Sequence, residues 1–404
     1  MILKLAWRNI WRNKRRTLIT ATMIFMAVML ATVMQCVQRG VYDRNIDNLV
    51  SYSTGYIQVN AAGHHEDKTL ETSVAFTPEL IEKIMSVEGV KDVSPKIENV
   101  GLSATDNSSK ETLILAVDPK REAGSTKLDQ RIVEGRYFNE KDNAVLIGSG
   151  LAKRLNVSAG DTIVLLSIGY QQASANGLFP IAGVVELASP ELNKRIMYLP
   201  IAAAQNLFLL GDQVSSISVL LDDKLEYKRI AAEIEGKLGE EYEVLHWQEL
   251  VPELAQLAEG DKTSGKMFML VLYIIISFGV FGTVLMMLAE RKREFGVVTS
   301  IGMKRRSLAI IVVLENLIIS FLGAIVGMIL ALPVVNWLHT SPVSLAGDMK
   351  QAYEKLGFEP VITANFYPDV FIGNASLVFV IALLLSLYPL FKISRINPIE
   401  YLRS

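Results

Sequence analysis

Half of the 404 residues are hydrophobic, a fifth are charged, and the formal net charge is −2. The single cysteine, Cys36, excludes an intrachain disulfide scaffold, and no zinc-ligand spacing occurs. Charge-free apolar runs at 17–38, 267–289, 316–338 and 370–391 exclude a wholly soluble enzyme and a disordered chain, because a helix of that length covers the roughly 30 Å hydrocarbon core of a bilayer.

Residues 1–16 carry six Lys/Arg and no acid. Leu3, Ala6, Trp7, Ile10 and Trp11 recur at helical spacing opposite Lys4, Arg8, Arg12 and Arg15, which predicts an amphipathic elbow helix on the membrane surface. The run 17–38 reads as an uncleaved first span, since Gln35, Gln38 and Arg39 stand where the small residues of a cleavage site belong.

Residues 39–266 form a hydrophilic segment with 23 basic and 34 acidic residues. Alternation predicts strands at 55–59, 113–117, 145–147, 162–166, 181–185 and 216–221, and amphipathic helices at 77–86 and 223–238. Thr77-Pro78-Glu79 is a helix start, with a capping hydroxyl ahead of proline. The order strand, helix, strand occurs twice. It predicts an α+β unit of two βαβ halves, 54–100 and 213–250, split by a β-rich subdomain at 101–212. The stretch 167–177 reads as a surface hairpin, a candidate contact for a carrier or adaptor.

No catalytic constellation is visible in this segment. His64-His65-Glu66-Asp67 are neighbours on one loop, an arrangement that rarely completes a metal site, so no metal is expected. The run 260–267 nearly matches a phosphate-binding loop. However, Met267 stands where Ser or Thr must hold magnesium, and a membrane span follows, so no cofactor is expected on this chain.

The second span, 267–289, leads into 290–307, which has six Lys/Arg and two acids. Its sequence ERKREFGVVTSIGMKRR sets Phe295, Val297, Val298 and Ile301 between charge clusters, with small Gly296 and Gly302. This predicts a short amphipathic helix that docks in a groove of a cytoplasmic protein. The third span, 308–338, carries Glu315, which is costly in a membrane unless wet or paired. Arg305 or Arg306 is the expected partner, making Glu315 a clamp on the docking helix. Gly323 and Gly327 predict close helix packing. After the loop 339–369 come the fourth span, 370–391, and a tail, 392–404. Basic segments lie an odd number of spans from acidic ones, so the positive-inside rule places both termini and 290–307 in the cytoplasm and 39–266 outside. The expected fold class is therefore a four-helix membrane protein with a large extracytoplasmic α+β domain.

The run Glu290-Arg291-Lys292-Arg293-Glu294-Phe295-Gly296-Val297, the stretch Ser300-Ile301-Gly302-Met303-Lys304-Arg305-Arg306 and the early Glu315 resemble the signature of the FtsX-like, MacB-type ABC transporter permeases. So do Tyr388-Pro389 and Asn397-Pro398-Ile399-Glu400-Tyr401-Leu402-Arg403. The start with an elbow helix and the strand Gly55-Tyr56-Ile57-Gln58-Val59 are closest to the lipoprotein-releasing type. The resemblance implies a periplasmic core domain with porter-like halves and a chain that is not itself an enzyme. It also implies a coupling helix seated on a separate ATPase subunit that binds ATP and magnesium. Two such ATPases and a second permease, identical or different, would complete the assembly in the bacterial inner membrane, without nucleic acid. Docking falls on Glu290, Arg293, Glu294, Phe295, Gly296, Val297, Ser300, Gly302, Met303 and Arg305. Met34, Val37, Met269, Leu270 and Tyr273 are expected to line a cavity for an amphiphilic substrate, where Met side chains adapt to mobile acyl chains. The implied function is lipoprotein release or amphiphile export by mechanical coupling. The alternative is transmission of motion to a periplasmic cell-wall hydrolase, against which the size of the outer domain argues.

Overall fold

Four helices among the described residues are long and apolar enough to cross a membrane: Thr17–Asn48, Thr263–Glu290, Arg305–Thr340 and Pro368–Ile393. The computed structural model describes residues 2–394 apart from Asn13, Ser53, Lys68, Asn107, Leu356 and Gly357. The C-terminal pattern at 397–403 lies outside the described residues. The chain divides into two compact units. One comprises Met1–Tyr42, Ala258–Ser344 and Val361–Ser404; the other comprises Asp43–Leu257 and Leu345–Pro360.

In the first unit, span one belongs to a helix, Lys14–Tyr52, far longer than its apolar run. Arg39 ends the hydrophobic stretch but has no reason to end a helix. The 260–267 run is likewise helical, inside Pro252–Glu290. It lacks the strand-to-helix turn in which a phosphate loop must sit. Span three packs on span one through its glycines. A Cβ on Gly327 would lie 2.7 Å from the carbonyl oxygen of Phe25, and one on Gly323 would lie 2.9 Å from Ile24. Buried Ile24, Val28, Ile276, Val280, Ile319 and Val378 fill the space between the four spans.

Polar side chains fasten the bundle where water is absent. On span four, Asn374 donates to Thr32 Oγ1 (3.3 Å) and Gln35 Oε1 (3.1 Å) of span one and accepts from the Tyr273 hydroxyl of span two. Asn316 of span three donates to Ser386 Oγ at 2.8 Å. In a bilayer each such group must find a protein partner, so these bonds also fix helix register.

The second unit is built on one continuous sheet. Strands Tyr242–His246, Ile57–Ala61, Ser216–Leu221 and Val90–Thr105 lie side by side, every pair antiparallel. Helices Pro78–Met85 and Tyr227–Leu238 complete the two βαβ halves. Thr77 caps the first of these by accepting from Leu80 N, as its sequence predicts. Ile57, Val59, Val93, Ile217 and Val219 alternate onto the helix-covered face and meet Leu80, Ile84, Ile230 and Ile234.

The strand Val90–Thr105 is long enough to run through both halves of this sheet. Its first half pairs with Ser216–Leu221 and its second half with Ser108–Val117 and Thr162–Ile168. Pairing continues through Ile196–Pro200, Val145–Gly148 and Ser174–Val185 back to Thr162–Ile168, so these strands close into a ring, to which Ile132–Gly135 adds as an edge strand on Ser174–Val185. Gly101 is required where the strands cross, because a Cβ there would lie 2.7 Å from the Leu166 carbonyl oxygen.

The stretch 167–177 is the hairpin its sequence predicts. Its strands pair up to Ile168 and Ser174. Its tip lies back on the domain, with Gly169 against the Phe208 backbone and Tyr170 packed on the main core.

Candidate functional site

The connection between spans two and three is a helix, Lys292–Ser300, shorter than the predicted 290–306. It stops at Gly302, whose φ of 104° closes the helix end in the left-handed region. There Gly302 N bonds Thr299 O and Met303 N bonds Val298 O, satisfying two terminal carbonyls. Arg305 then opens span three.

Phe295 and Gly296 were expected on the docking face, and the structure corrects this. Both are buried, with Phe295 packed among Met287, Leu308, Ala309, Val312 and Ile393. A short helix flanked by membrane spans uses its largest apolar side chain to seat itself, so its opposite face is what remains exposed. Glu290, Arg293, Glu294, Val297, Ser300, Gly302 and Arg305 are exposed, Met303 is half-buried, and Ile301 is 82% exposed.

The partner of Glu315 is also corrected. It is neither Arg305 nor Arg306, which are exposed, but Arg291. Arg291 Nη1 donates to both Glu315 oxygens, at 2.8 and 3.1 Å, while Asn9 of the elbow helix donates to Oε1 at 2.7 Å. The pair is nearly sealed from solvent, with side chains 10% and 3% exposed. Arg291 Nε reaches Glu294 at 3.1 Å, and Arg12 of the elbow helix meets the same carboxylate at 2.5 Å. Burial pushes the Glu294 carboxyl up, but Arg291 and Arg12 outweigh it and hold it below the usual carboxylate range. The helices Ile2–Arg12 and Lys292–Ser300 and span three are thereby joined in one ionic knot. Arg12 and Asn9 were absent from the sequence-predicted site. The charged stripe of the elbow helix was visible, but its destination some 280 residues away was not.

The five proposed cavity residues do not share a lining. Met34 and Leu270 are exposed on the bundle, Met269 is buried, Val37 packs beside Cys36, and Tyr273 is committed to Asn374.

In the second unit a further polar cluster holds the extension of span one. Arg44 donates twice to Glu359, at 2.6 and 3.0 Å, and Asn48 donates to the same carboxylate at 2.7 Å. Tyr56 donates to Asp47, which Lys224 also meets at 2.8 Å. Burial and then the Asp47 charge push the Tyr56 phenol far above its ordinary value, so it remains a donor. Of the predicted loop histidines, His64 is bonded to Thr72 at 2.6 Å. No cluster of three or more His, Cys, Asp or Glu able to hold a metal occurs among the described residues.

A short helix with exposed Val297 and Ile301, ion-paired to a membrane span, in a chain that also carries an α+β unit with two βαβ halves, agrees with the family comparisons. Residues 17–237 match the MacB-like periplasmic core domain and residues 266–398 the FtsX-like permease C-terminal domain. The chain belongs to this family of ABC transporter permeases. It is 22% identical over 330 residues to the lipoprotein-releasing system transmembrane protein LolE of Haemophilus influenzae, covering 78% of each chain. It is 23% identical over 333 residues to the macrolide export ATP-binding/permease protein MacB of Bdellovibrio bacteriovorus. That match covers 78% of this chain, which spans about half the length of the exporter, 48%. An ABC transporter permease of Methanocaldococcus jannaschii, itself uncharacterized, is 21% identical over the whole of this chain and 97% of its own.

Proposed function

We propose that this permease converts ATP hydrolysis on a partner ABC ATPase into movement of its outer domain, releasing a lipoprotein or exporting another amphiphile. The observation that carries the reading is the coupling helix. Its inner face is tied to span three by Arg291–Glu315, and its outer face offers Val297 and Ile301 to a partner. The similarity to LolE, named for lipoprotein release, supports a lipoprotein cargo, and membership of the ABC transporter permeases supports a partner chain that binds ATP and magnesium. The functional unit is two permeases with two ATPases in the bacterial inner membrane. Its termini and coupling helix face the cytoplasm and its large domain the periplasm, where a carrier or adaptor receives the cargo. The Lys/Arg asymmetry supports this orientation.

Pulldown of the tagged chain from native membranes tests the reading. An ABC ATPase co-purifies with the native chain and is reduced about tenfold with Ile301→Asp, which desolvates a charge at the interface without touching the permease core. Absence of an ATPase from the native complex sinks the proposal.

A further inference from the structure

The outer end of span three carries a groove of about 640 Å³. Leu332, Pro333 and Val335 line its apolar part; Asn336, His339 and Asn365 supply polar groups, with Phe366 at its rim. From Leu332 to His339 the helix climbs roughly 10 Å. Polarity therefore rises along the span toward water, in the order of a lipid's acyl chain, ester and headgroup. Exposed Trp337 marks the same depth as interfacial, as does Arg39, which pairs with Asp369 and stacks on Tyr367.

Two groups in the groove have unused hydrogen-bonding capacity. The Asn336 carboxamide is exposed in the groove and makes no hydrogen bond among the described residues, which leaves its donor and acceptor open to a ligand. His339 Nδ1 faces two oxygens, Ala364 O at 3.3 Å and Asn365 Oδ1 at 2.9 Å. Both accept, so Nδ1 carries the ring proton, and Nε2 of the neutral ring is an acceptor.

We infer that this groove binds one membrane phospholipid whose headgroup carries an N–H or O–H donor, as ethanolamine or glycerol does. The acyl chain lies against Leu332, Pro333 and Val335. Asn336 donates to an ester or phosphate oxygen, and His339 Nε2 accepts from the headgroup. A choline headgroup, with three methyls on nitrogen, offers His339 no donor. The inference goes beyond the coupling reading and does not depend on it.

The test is native mass spectrometry of the delipidated full chain in detergent, offered phosphatidylethanolamine or phosphatidylcholine. One phosphatidylethanolamine per chain should survive, with phosphatidylcholine held about tenfold more weakly. His339→Phe should erase the preference, and Leu332→Trp should fill the groove and remove binding. Equal retention of the two lipids, or a preference surviving His339→Phe, overturns the proposal. A measurement on the native chain guards against a misfolded variant: photoreactive phosphatidylethanolamine in vesicles should label 332–339 or 365–366. Labelling spread evenly over the spans, or a second copy of the chain cross-linked in the groove, also overturns it.

Discussion

Arg291 and Glu315 form an ion pair nearly sealed from solvent beside a membrane span. Taking two charges out of water is expensive, and the cost is offset only when geometry is good and remaining donors and acceptors are met. Here two hydrogen bonds join the pair, and Asn9 and Glu294 bind what is left. Removing one partner strands the other. Glu315→Ala should destabilise the chain by about 3–5 kcal/mol, whereas Arg291→Met with Glu315→Leu should recover most of that loss. Thermal unfolding of the purified protein in one detergent measures both, and the same loss in the double variant would mean that the pair is incidental. Glu294 adds a pH dependence of definite sign. Its folded carboxyl titrates below the ordinary value of about 4.3, so its contribution is complete at pH above that value. The contribution is lost as pH falls through the lower folded value. Fluorescence of Trp7 and Trp11 on the elbow helix should stay flat from neutral pH to about 5 and change only at stronger acidity. A transition near neutral pH would contradict this linkage.

At the scale of elements, what could be read from sequence follows what each element answers to. The spans were legible because a bilayer demands about 20 apolar residues whatever surrounds them. The βαβ halves were legible because alternation and a Thr-Pro helix start are local signals. The inward turn of Phe295 was not, since a nine-residue helix with apolar residues on several sides takes its orientation from its neighbours. Nor was the choice of Arg291 over Arg305: six cations lie between residues 290 and 307, and only the fold selects one. Glycine spacing pointed to close packing but not to its partner, which is span one. Gly327→Leu should therefore push span three away from Phe25 and cost about 1–3 kcal/mol, read as a lower unfolding temperature. Gly302 has a different role. No heavy atom would crowd a Cβ there, but its backbone is left-handed, so Gly302→Val strains the turn by about 1–2 kcal/mol. Recovery of the ATPase complex should fall with Val and largely persist with Asn, which tolerates that conformation. Equal recovery with both would show that the turn does not shape the docking face.

For the whole molecule, the physical premise is that each unit meets a different solvent. The first unit exposes large apolar side chains along every span, including Leu270, Phe278, Phe321 and Leu384, which only a bilayer can cover. The second buries its apolar residues inside a sheet with helices and a closed ring of strands, as a water-facing domain must. Coupling across a membrane then requires that the exposed helix Lys292–Ser300 and the porter-like sheet lie on opposite sides. The chain itself provides a clean way to check this, because its one native thiol, Cys36, is fully buried. Lys141, just ahead of the strand Val145–Gly148, and Lys304, beside the helix Lys292–Ser300, are both exposed. In intact cells, Lys141→Cys should react with a membrane-impermeant maleimide once the outer membrane is opened, and Lys304→Cys should react only after the inner membrane is breached. Reaction at Lys304→Cys from outside, with Lys141→Cys protected, would invert the orientation and leave the coupling helix on the side without ATP.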